Sequence, residues 1–219
     1  MGGFFVLIRT YAVGPLETNC YVLADETTQQ AVIVDPGGSG DQILEDIKKN
    51  KFKIVAILLT HGHFDHIGAV EQIKNELNVF VYAHKDEKSI LENPEQNLSR
   101  SFSGKSIGTI ADIYFSDVFE FSFGKNITLK VIHTPGHTPG GVCYYYNKES
   151  ILISGDTLFY RSIGRTDFPY GSYTSLIDSI NNKLFVLPEE TKVFPGHGDP
   201  TTIGFEKKSN PEMGNSLWE

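Results

Sequence analysis

Short apolar runs, each bounded by turn residues, recur along the chain and predict β-strands. The run over residues 54–59 is the clearest, because a continuous apolar run of this length is typical of a strand buried on both faces. The pattern predicts strands over residues 4–9, 20–24, 31–35, 54–59, 79–83, 113–115, 118–121, 127–133, 142–146, 151–154 and 192–194.

Between these runs, apolar residues recur with helical spacing, as at Ile43 and Ile47, which share one face of a helix. The spacing predicts helices over residues 41–50, 67–77, 85–91 and 173–184. Residues 93–108 and 156–172 have no clear period and are predicted as loops, and the tail from residue 201 is polar.

The mixture of strands and helices indicates an α/β fold class. It is compatible with two sheets that carry outer helices and also with one large mixed sheet, and the pattern alone leaves both open. A length of 219 residues is typical of one domain, so we expect a single domain over residues 1–219.

Composition and charge narrow the function classes. The net charge of −8 disfavours binding to nucleic acid or to an anionic membrane surface. No apolar stretch approaches the ~20 residues of a membrane span, and we identify no signal peptide, so we expect a soluble, cytoplasmic protein. Cys20 and Cys143 each lie in an apolar run and are expected to be buried thiols rather than a disulfide. The oligomeric state is not predicted.

The densest group of chemically useful side chains follows directly after the strand over residues 54–59. His61, His63, Asp65 and His66 lie within six residues, at the kind of position where α/β proteins place their sites. Alternating side chains of an extended stretch point the same way, so His61 and His63 can bind one ion. Asp65 and His66 follow as the chain turns into a helix, and they can bind a second ion. A polar helix cap is the alternative interpretation, and the density of histidine argues against it.

Three further candidates follow later strands. His137, Asp156 and His197 each lie in a glycine-flanked turn, which can direct a side chain into a cleft. Taken singly, each is typical of a turn; together with the first cluster, they complete two metal sites. Imidazole and carboxylate ligands suit zinc, iron and manganese. We expect two divalent ions, with zinc as the first choice and iron or manganese as alternatives.

This series of motifs resembles the metallo-beta-lactamase superfamily over nearly the whole chain, and Asp35 also fits its pattern. The resemblance implies an αββα sandwich of two mixed β-sheets with outer helices and a two-metal site at one edge. It also implies a role for each candidate ligand. The first metal would be held by His61, His63 and His137, the second by Asp65, His66 and His197, with Asp156 bridging the two.

Within the superfamily, the chain is most similar to glyoxalase II-like proteins, the hydroxyacylglutathione hydrolases, through residues 136–145 and 154–159. Residues 162–169 are similar to the short, single-domain branch and also to persulfide dioxygenases. Asp156 argues against true β-lactamases, many of which carry cysteine there. The residues after His197 are too few for the C-terminal helical domain that binds glutathione in the long enzymes, so we expect no such domain.

The resemblance implies a metal-dependent hydrolase that cleaves a small thioester, such as S-lactoylglutathione or a related acyl-thiol, with a metal-bridging hydroxide. Two metals about 3.5–4 Å apart lower the pKa of a shared water. A thiolate with a pKa of about 8.5 can leave without a strong general acid. Asp65 and Asp156 are the expected catalytic carboxylates, with Asp65 orienting the water or accepting its proton.

Two other functions are compatible with the motifs. A persulfide dioxygenase would use O2 and a single iron, for which His61, His137 and Asp156 would form the facial triad. A non-catalytic metal-binding module is the third possibility, and the presence of all seven candidate ligands argues against it.

Arg165 and Asp167 are the candidate substrate-binding residues. They occupy positions where the long enzymes carry a lysine and a tyrosine for glutathione. Arg165 can pair with a substrate carboxylate or form a structural salt bridge with Asp167, and both interpretations stay open. Of the remaining histidines, His84 is expected in a surface turn and His133 as a hydrogen-bonded structural residue.

Overall fold

The structure is a computed structural model that describes residues 6–214. Its first half forms a six-stranded sheet whose strands lie side by side in chain order. These strands are β1 (Val6–Val13), β2 (Thr18–Asp25), β3 (Gln30–Val34), β4 (Lys53–Leu58), β5 (Phe80–His84) and β6 (Ile113–Phe115). The first three are antiparallel neighbours, whereas β3 to β6 are parallel.

The second half contributes another six-stranded sheet and a small hairpin. Its strands are β7 (Glu120–Phe123), β8 (Ile127–His133), β9 (Val142–Tyr146), β10 (Ile151–Gly155), β11 (Leu158–Phe159), β12 (Ser162–Ile163), β13 (Lys192–Pro195) and β14 (Thr201–Thr202). In the sheet, β7 to β10 are antiparallel neighbours, β13 lies parallel to β10, and β14 closes the edge. The hairpin is made of β11 and β12.

Seven α-helices lie among the described residues. They are α1 (Gly40–Asn50), α2 (Phe64–Ile67), α3 (Val70–Leu77), α4 (Lys88–Glu92), α5 (Ser99–Ser103), α6 (Tyr173–Ser179) and α7 (Ile203–Ser209). α6 continues into a π-helical turn over Ile180–Leu184. No helix in residues 6–214 combines the length and the apolar composition that a bilayer-spanning segment needs.

Three apolar layers hold these elements together. In β3, Val32 and Val34 pack in the layer between the two sheets, whereas Ile33 packs with Ile43 of α1 on the outer side of the first sheet. This follows from the alternation of side chains along a strand. The outer layer of the second sheet is built in the same way, from Leu152 and Val193 against Leu176 of α6. The αββα sandwich of two mixed sheets is therefore confirmed.

The structure corrects several element predictions. The helix predicted over residues 67–77 is broken between α2 and α3, because the Ala69 N–H donates to the Pro36 carbonyl instead of continuing the helix. The predicted loops contain α5 and the β11–β12 hairpin, and the polar tail contains α7. In α7, the buried Glu206 accepts hydrogen bonds from Arg161 N and Thr201 Oγ1, so a charged residue occupies a core position and hides the helical pattern. Phe4 and Phe5 of the first predicted strand lie outside the described residues.

The two cysteines are buried and free, as predicted. Cys20 belongs to the outer layer of the first sheet and Cys143 to that of the second sheet.

Candidate metal centre

The candidate ligands lie at one edge of the sandwich, where β4, β8, β10 and β13 all end. His61 and His63 follow β4, and His137 lies in the connection between β8 and β9. Asp156 comes directly after β10, and His197 follows β13. Both sheets therefore contribute side chains to the same edge, which explains how residues that are far apart in sequence come together.

The first group contains His61, His63 and His137. One ring nitrogen from each lies within 4.8 Å of the others, and all three side chains are buried. Nδ1 of His63 is 2.9 Å from Nε2 of His137. Three converging imidazoles at this separation form a set of nitrogen donors of the kind that binds zinc.

The second group contains Asp65, His66 and His197, whose ligand atoms also lie within 4.8 Å of one another. Oδ2 of Asp65 is 3.2 Å from Nε2 of His197 and 3.6 Å from Nε2 of His66. Thr18 donates its hydroxyl to the same Asp65 oxygen, at 2.9 Å. The side chain of His197 is about a third exposed, so this group faces the solvent more than the first does.

Asp156 lies between the two groups. Its Oδ2 is 3.5 Å from Nε2 of His137 in the first group, and its Oδ1 is 3.4 Å from Nε2 of His66 in the second. The chain after β13 runs close against this carboxylate, and a Cβ on Gly196 would overlap Oδ1 of Asp156. Asp156 thus lies within 3.5 Å of a histidine of each group.

Hydrogen bonds on the far side of the rings orient the histidines. Nδ1 of His137 is 2.7 Å from the Arg165 carbonyl oxygen, and Nδ1 of His66 is 3.0 Å from Oδ2 of Asp35. Asp35 also accepts from the backbone N–H of Thr60, at 2.7 Å. Such outer contacts fix the tautomer and leave Nε2 of each ring directed into the site.

Protonation differs among the candidate ligands. Burial lowers the pKa of His61 well below its usual value and lowers that of His63 to about 3, so both rings are neutral near neutral pH. Burial raises the pKa of Asp156, but the nearby His66 lowers it more strongly, to about 2. Neutral imidazoles and ionised carboxylates are the forms that coordinate metals. Burial lowers the pKa of His66, but the carboxylates of Asp156 and Asp65 raise it well above its usual value, so a bound cation would displace a proton from this ring.

Three buried atoms give a direct test of whether metals fit this site. Nε2 of His61, Nε2 of His66 and Oδ1 of Asp156 form no well-aligned hydrogen bond among the described residues, although the last two atoms lie 3.4 Å apart. Buried polar atoms are normally paired, so three unsatisfied atoms in one cluster need an explanation. A cation coordinated by these atoms supplies one, and the donor set of imidazole and carboxylate fits a divalent metal.

Glu87 is a buried residue of this region that the sequence analysis missed. Oε2 of Glu87 accepts the Gly62 N–H and Oε1 accepts the Gly140 N–H, both at 2.7 Å. A Cβ at Gly140 would lie 2.7 Å from the Glu87 nitrogen, so the chain needs glycine at this close approach. Glu87 thereby ties the segment between His61 and His63 to the segment that follows His137. In the sequence it lies in a run of charged residues that is typical of a solvated surface.

Arg165 and Asp167 lie at the mouth of the site. The guanidinium donates from Nε and Nη2 to the two carboxylate oxygens of Asp167, at 2.9 and 2.7 Å, and packs 4.1 Å from the ring centre of Phe168. The salt bridge between the two residues is therefore present. Both side chains are mostly exposed, so the guanidinium is also accessible to a ligand.

The structure corrects the prediction for His84, which is fully buried rather than in a surface turn. Its ring stacks on His133 with ring centres 4.2 Å apart, and its Nε2 is 3.0 Å from Oδ1 of Asp117. Nε2 of His133 is 2.8 Å from the Pro139 carbonyl oxygen, in agreement with the expected structural role. No sequence pattern indicated this cluster, because Asp117 lies in the connection between the two sheets.

A cavity of about 300 Å³ opens above the candidate ligands. His63, Asp65, His137, Asp156 and His197 line its floor. Its walls are mainly apolar side chains, and Arg165 lies at its rim. The volume is within the range that proteins use for small-molecule ligands.

Comparison with known proteins agrees with this geometry. The sequence profile of the metallo-beta-lactamase superfamily matches residues 13–197. The probable metallo-hydrolase YqgX of Bacillus subtilis is 40% identical, covering 93% of this chain and 95% of its own. Hydroxyacylglutathione hydrolase GloC of Haemophilus influenzae is 36% identical, covering 93% of this chain and 96% of its own.

Solved structures are similar over the same length. A crystal structure of BLEG-1 B3 metallo-beta-lactamase has a TM-score of 0.90 and 44% identity, over 94% of this chain and 99% of that one. TTHA1623 in a di-iron-bound form has a TM-score of 0.80 and 33% identity, over 96% of this chain and 99% of that one. ETHE1 from Myxococcus xanthus has a TM-score of 0.75 and 27% identity, over 94% of this chain and 88% of that one.

The likeness to BLEG-1 bears on one expectation from the sequence. Asp156 was expected to separate the chain from true β-lactamases, and a structure with 44% identity carries the name of that class. The expectation based on Asp156 therefore stays a prediction. The superfamily, in contrast, is shown by the profile, by both relatives and by the fold, and the relatives indicate a metallo-hydrolase. The chain belongs to the metallo-beta-lactamase superfamily.

Proposed function

We propose that this protein is a metal-dependent hydrolase of small thioesters, such as S-lactoylglutathione or a related acyl-thiol. The observation that carries the proposal is the position of Asp156, whose two oxygens lie 3.5 Å from His137 and 3.4 Å from His66, one in each candidate ligand group. The name of the relative GloC supports the substrate class, and the di-iron form of TTHA1623 supports two ions.

The proposed ligands are those expected from the sequence. His61, His63 and His137 would hold one ion, Asp65, His66 and His197 would hold the other, and Asp156 would contact both. When bound, two divalent ions supply a water of lowered pKa and polarise the substrate carbonyl. Zinc suits this donor set, and iron or manganese would also fit.

The side chains of the site then have distinct tasks. Burial raises the pKa of Asp65, but His66 and His197 lower it more strongly, so this carboxylate is ionised at neutral pH. Its oxygen faces His197 at the floor of the cavity, where it can orient the attacking water by accepting a hydrogen bond.

The reaction is balanced without a further co-reactant. The water oxygen forms a bond to the acyl carbon, the C–S bond breaks, and the products are a carboxylic acid and a thiol. A thiolate leaving group with a pKa of about 8.5 needs no strong acid to protonate it. This suits a site whose described histidines and carboxylates are all used as ligand candidates.

The test is release of free thiol from S-lactoylglutathione by the metal-loaded protein. We expect turnover that chelation abolishes and that divalent metal restores, with full activity at two ions per chain. Thiol release is followed spectroscopically, and bound metal is measured in the same samples. A folded protein that holds two ions and hydrolyses no thioester would contradict the proposal.

The second candidate is persulfide oxidation by a single iron held by His61, His137 and Asp156. The structural similarity to ETHE1 and the proximity of these three side chains leave it open. Oxygen uptake with a persulfide, in protein that carries one iron, distinguishes this reaction from hydrolysis. A chromogenic β-lactam belongs in the same set of assays, because of the likeness to BLEG-1.

Replacement of Arg165 by alanine is expected to raise KM for S-lactoylglutathione severalfold and to change kcat little. The physical reason is that Arg165 lies at the rim of the cavity, where its guanidinium can exchange Asp167 for a substrate carboxylate. Steady-state kinetics check this result. Lys208→Ala is the control, because Lys208 forms an equally exposed ion pair with Glu189 outside the cavity. An unchanged KM would leave Arg165 with the structural role alone.

A further inference from the structure

Six apolar side chains line the cavity above the candidate metal centre, and together they form its apolar wall. We use this name for Leu16, Phe64, Leu98, Phe102, Phe159 and Phe168. The wall begins at the candidate ligands themselves, because the ring centre of Phe168 is 5.8 Å from that of His63 and the ring centre of Phe159 is 6.2 Å from that of His197. If a substrate carbonyl lies at the candidate metal centre, the acyl group attached to it therefore contacts the apolar wall directly.

Separate segments of the chain build this wall. Leu16 comes from the turn between β1 and β2, and Phe102 from α5. The ring centre of Phe102 is 6.3 Å from that of Phe64, in a stacked arrangement, and 5.9 Å from that of Phe168, edge to face. Aromatic side chains from distant segments thus support one another around the cavity.

Part of the apolar wall is exposed to solvent. Phe102 is 56% exposed and Leu16 is 48% exposed, although both are large apolar side chains. A contiguous apolar surface that a folded protein leaves exposed beside a polar site typically marks a ligand-binding surface.

The charged side chains that line the cavity lie at its floor and at its rim. The floor carries the carboxylates of Asp65 and Asp156, and Arg165 is the only lysine or arginine among the described residues of the lining. The guanidinium lies at the rim and is paired with Asp167. Above the floor, where the metal ions are proposed to bind, the walls therefore offer an anionic or amide-rich group little compensation for lost hydration.

We infer that the substrate is a thioester with an apolar acyl group, which binds against the apolar wall while its thiol carrier lies outside, beside Arg165. This inference rests on the proposed thioester hydrolysis. Thiol carriers such as glutathione bear carboxylates and amides, which favour the mouth of the cavity over its interior. The acyl group is then the part of the substrate that displaces water from the wall.

The volume of the cavity limits the size of this group. A cavity of about 300 Å³ lies at the lower end of the range that proteins use for small-molecule ligands. The thioester carbonyl takes part of this space. A short aliphatic or a single-ring aromatic acyl group fills the remainder.

The test is a series of glutathione thioesters that share one carrier and differ only in the acyl group. Each kcat/KM is divided by the rate of hydrolysis by hydroxide alone, which corrects for intrinsic reactivity. We expect this ratio to rise about fourfold for each added methylene from acetyl to hexanoyl, as burial of a methylene predicts. Propionyl and lactoyl differ by one hydroxyl, and the propionyl ester should be preferred by about fivefold or more.

Single substitutions then test whether the apolar wall causes the preference for longer acyl groups. Phe102→Ala should lower the ratio of hexanoyl to acetyl kcat/KM by about tenfold, while acetyl turnover changes much less. Phe80→Ala is the matched control, because Phe80 is 60% exposed and lies on β5, outside the cavity lining. Both replaced rings are largely exposed, so neither variant is expected to unfold.

The outcomes separate the two proposals. A flat acyl series, a preference for lactoyl over propionyl, or an equal effect of Phe102→Ala on every ester would overturn the apolar acyl inference while thioester hydrolysis stands. A metal-loaded protein that hydrolyses none of the esters would overturn the proposed function itself.

Discussion

Replacement of Asp65 by alanine is expected to abolish thioester hydrolysis and to leave the fold intact. The carboxylate contributes one of the three donors of the second group, 3.2 Å from His197 and 3.6 Å from His66. Loss of an outer contact to a metal ligand alone costs 10–100-fold, so we expect loss of a ligand to cost more than about a hundredfold. The measurement is free-thiol release together with the number of ions bound per chain.

The fold should survive because Asp65 is outside the three apolar layers and lines the cavity floor. The circular dichroism spectrum and the melting temperature check this. Asp178→Ala is the matched control, since Asp178 is an exposed aspartate on α6, away from the cavity. Normal turnover by a folded Asp65→Ala protein would contradict the two-metal proposal.

The same variant distinguishes the two reaction classes. A single iron on His61, His137 and Asp156 does not use Asp65 as a ligand. Persulfide-dependent oxygen uptake that persists in Asp65→Ala, with one iron bound, would therefore favour the dioxygenase. Loss of thiol release together with loss of the second ion favours the hydrolase.

The candidate ligands could be predicted from the sequence because their signal is local. His61, His63, Asp65 and His66 are neighbours in the chain, and each later candidate follows a strand that is apolar enough to be recognised. The parallel pair β10 and β13 then brings Asp156 and His197 to one edge of the second sheet, and packing of the two sheets places this edge beside the end of β4. The pattern of strands left one alternative open, a single large sheet. Val34 of β3 and Tyr144 of β9 pack in one apolar layer between the two sheets, and this layer excludes the single large sheet.

The features that the sequence could not predict depend on contacts between distant segments. α5 has only five residues, and its position is fixed by packing of Phe102 on Phe64 and Phe168 rather than by an apolar period. His84 is buried because it stacks on His133 of the other sheet. In both cases the contact partner lies far away in the chain, so no local pattern reports the contact.

Glu87 is the most consequential of these residues, and its replacement by alanine is expected to weaken both the fold and metal binding. The variant leaves the Gly62 N–H and the Gly140 N–H without an acceptor in the interior. Each unsatisfied buried donor costs about 1–3 kcal/mol, so the free energy of unfolding should fall by about 2–6 kcal/mol. Because the segments that carry His63 and His137 lose their link, metal affinity should fall about 10–100-fold. Denaturant unfolding and metal titration measure the two effects.

Glu87→Gln removes the ionisable carboxyl of this side chain and keeps its size. Burial raises the pKa of Glu87 to about 7, and the hydrogen bonds from Gly140 and Gly62 only partly oppose it. The folded chain thus holds the proton more tightly than the unfolded chain, whose glutamate has its ordinary pKa of 4.5. The stability that this group contributes is present below about pH 4.5 and is lost as the pH rises through about 7.

Glutamine cannot titrate, so the stability of the native chain relative to Glu87→Gln should fall by up to about 3 kcal/mol across this window. The measurement is unfolding in denaturant at both ends of the window, in metal-free protein, so that metal release does not contribute. Glu76→Gln on α3 is the control, because Glu76 is exposed and should show no such dependence. A pH-independent difference for Glu87→Gln would mean that the buried carboxylate stays ionised throughout. The two backbone N–H groups would then hold its charge in place, and Glu87 would act as a fixed anion beneath the candidate metal centre.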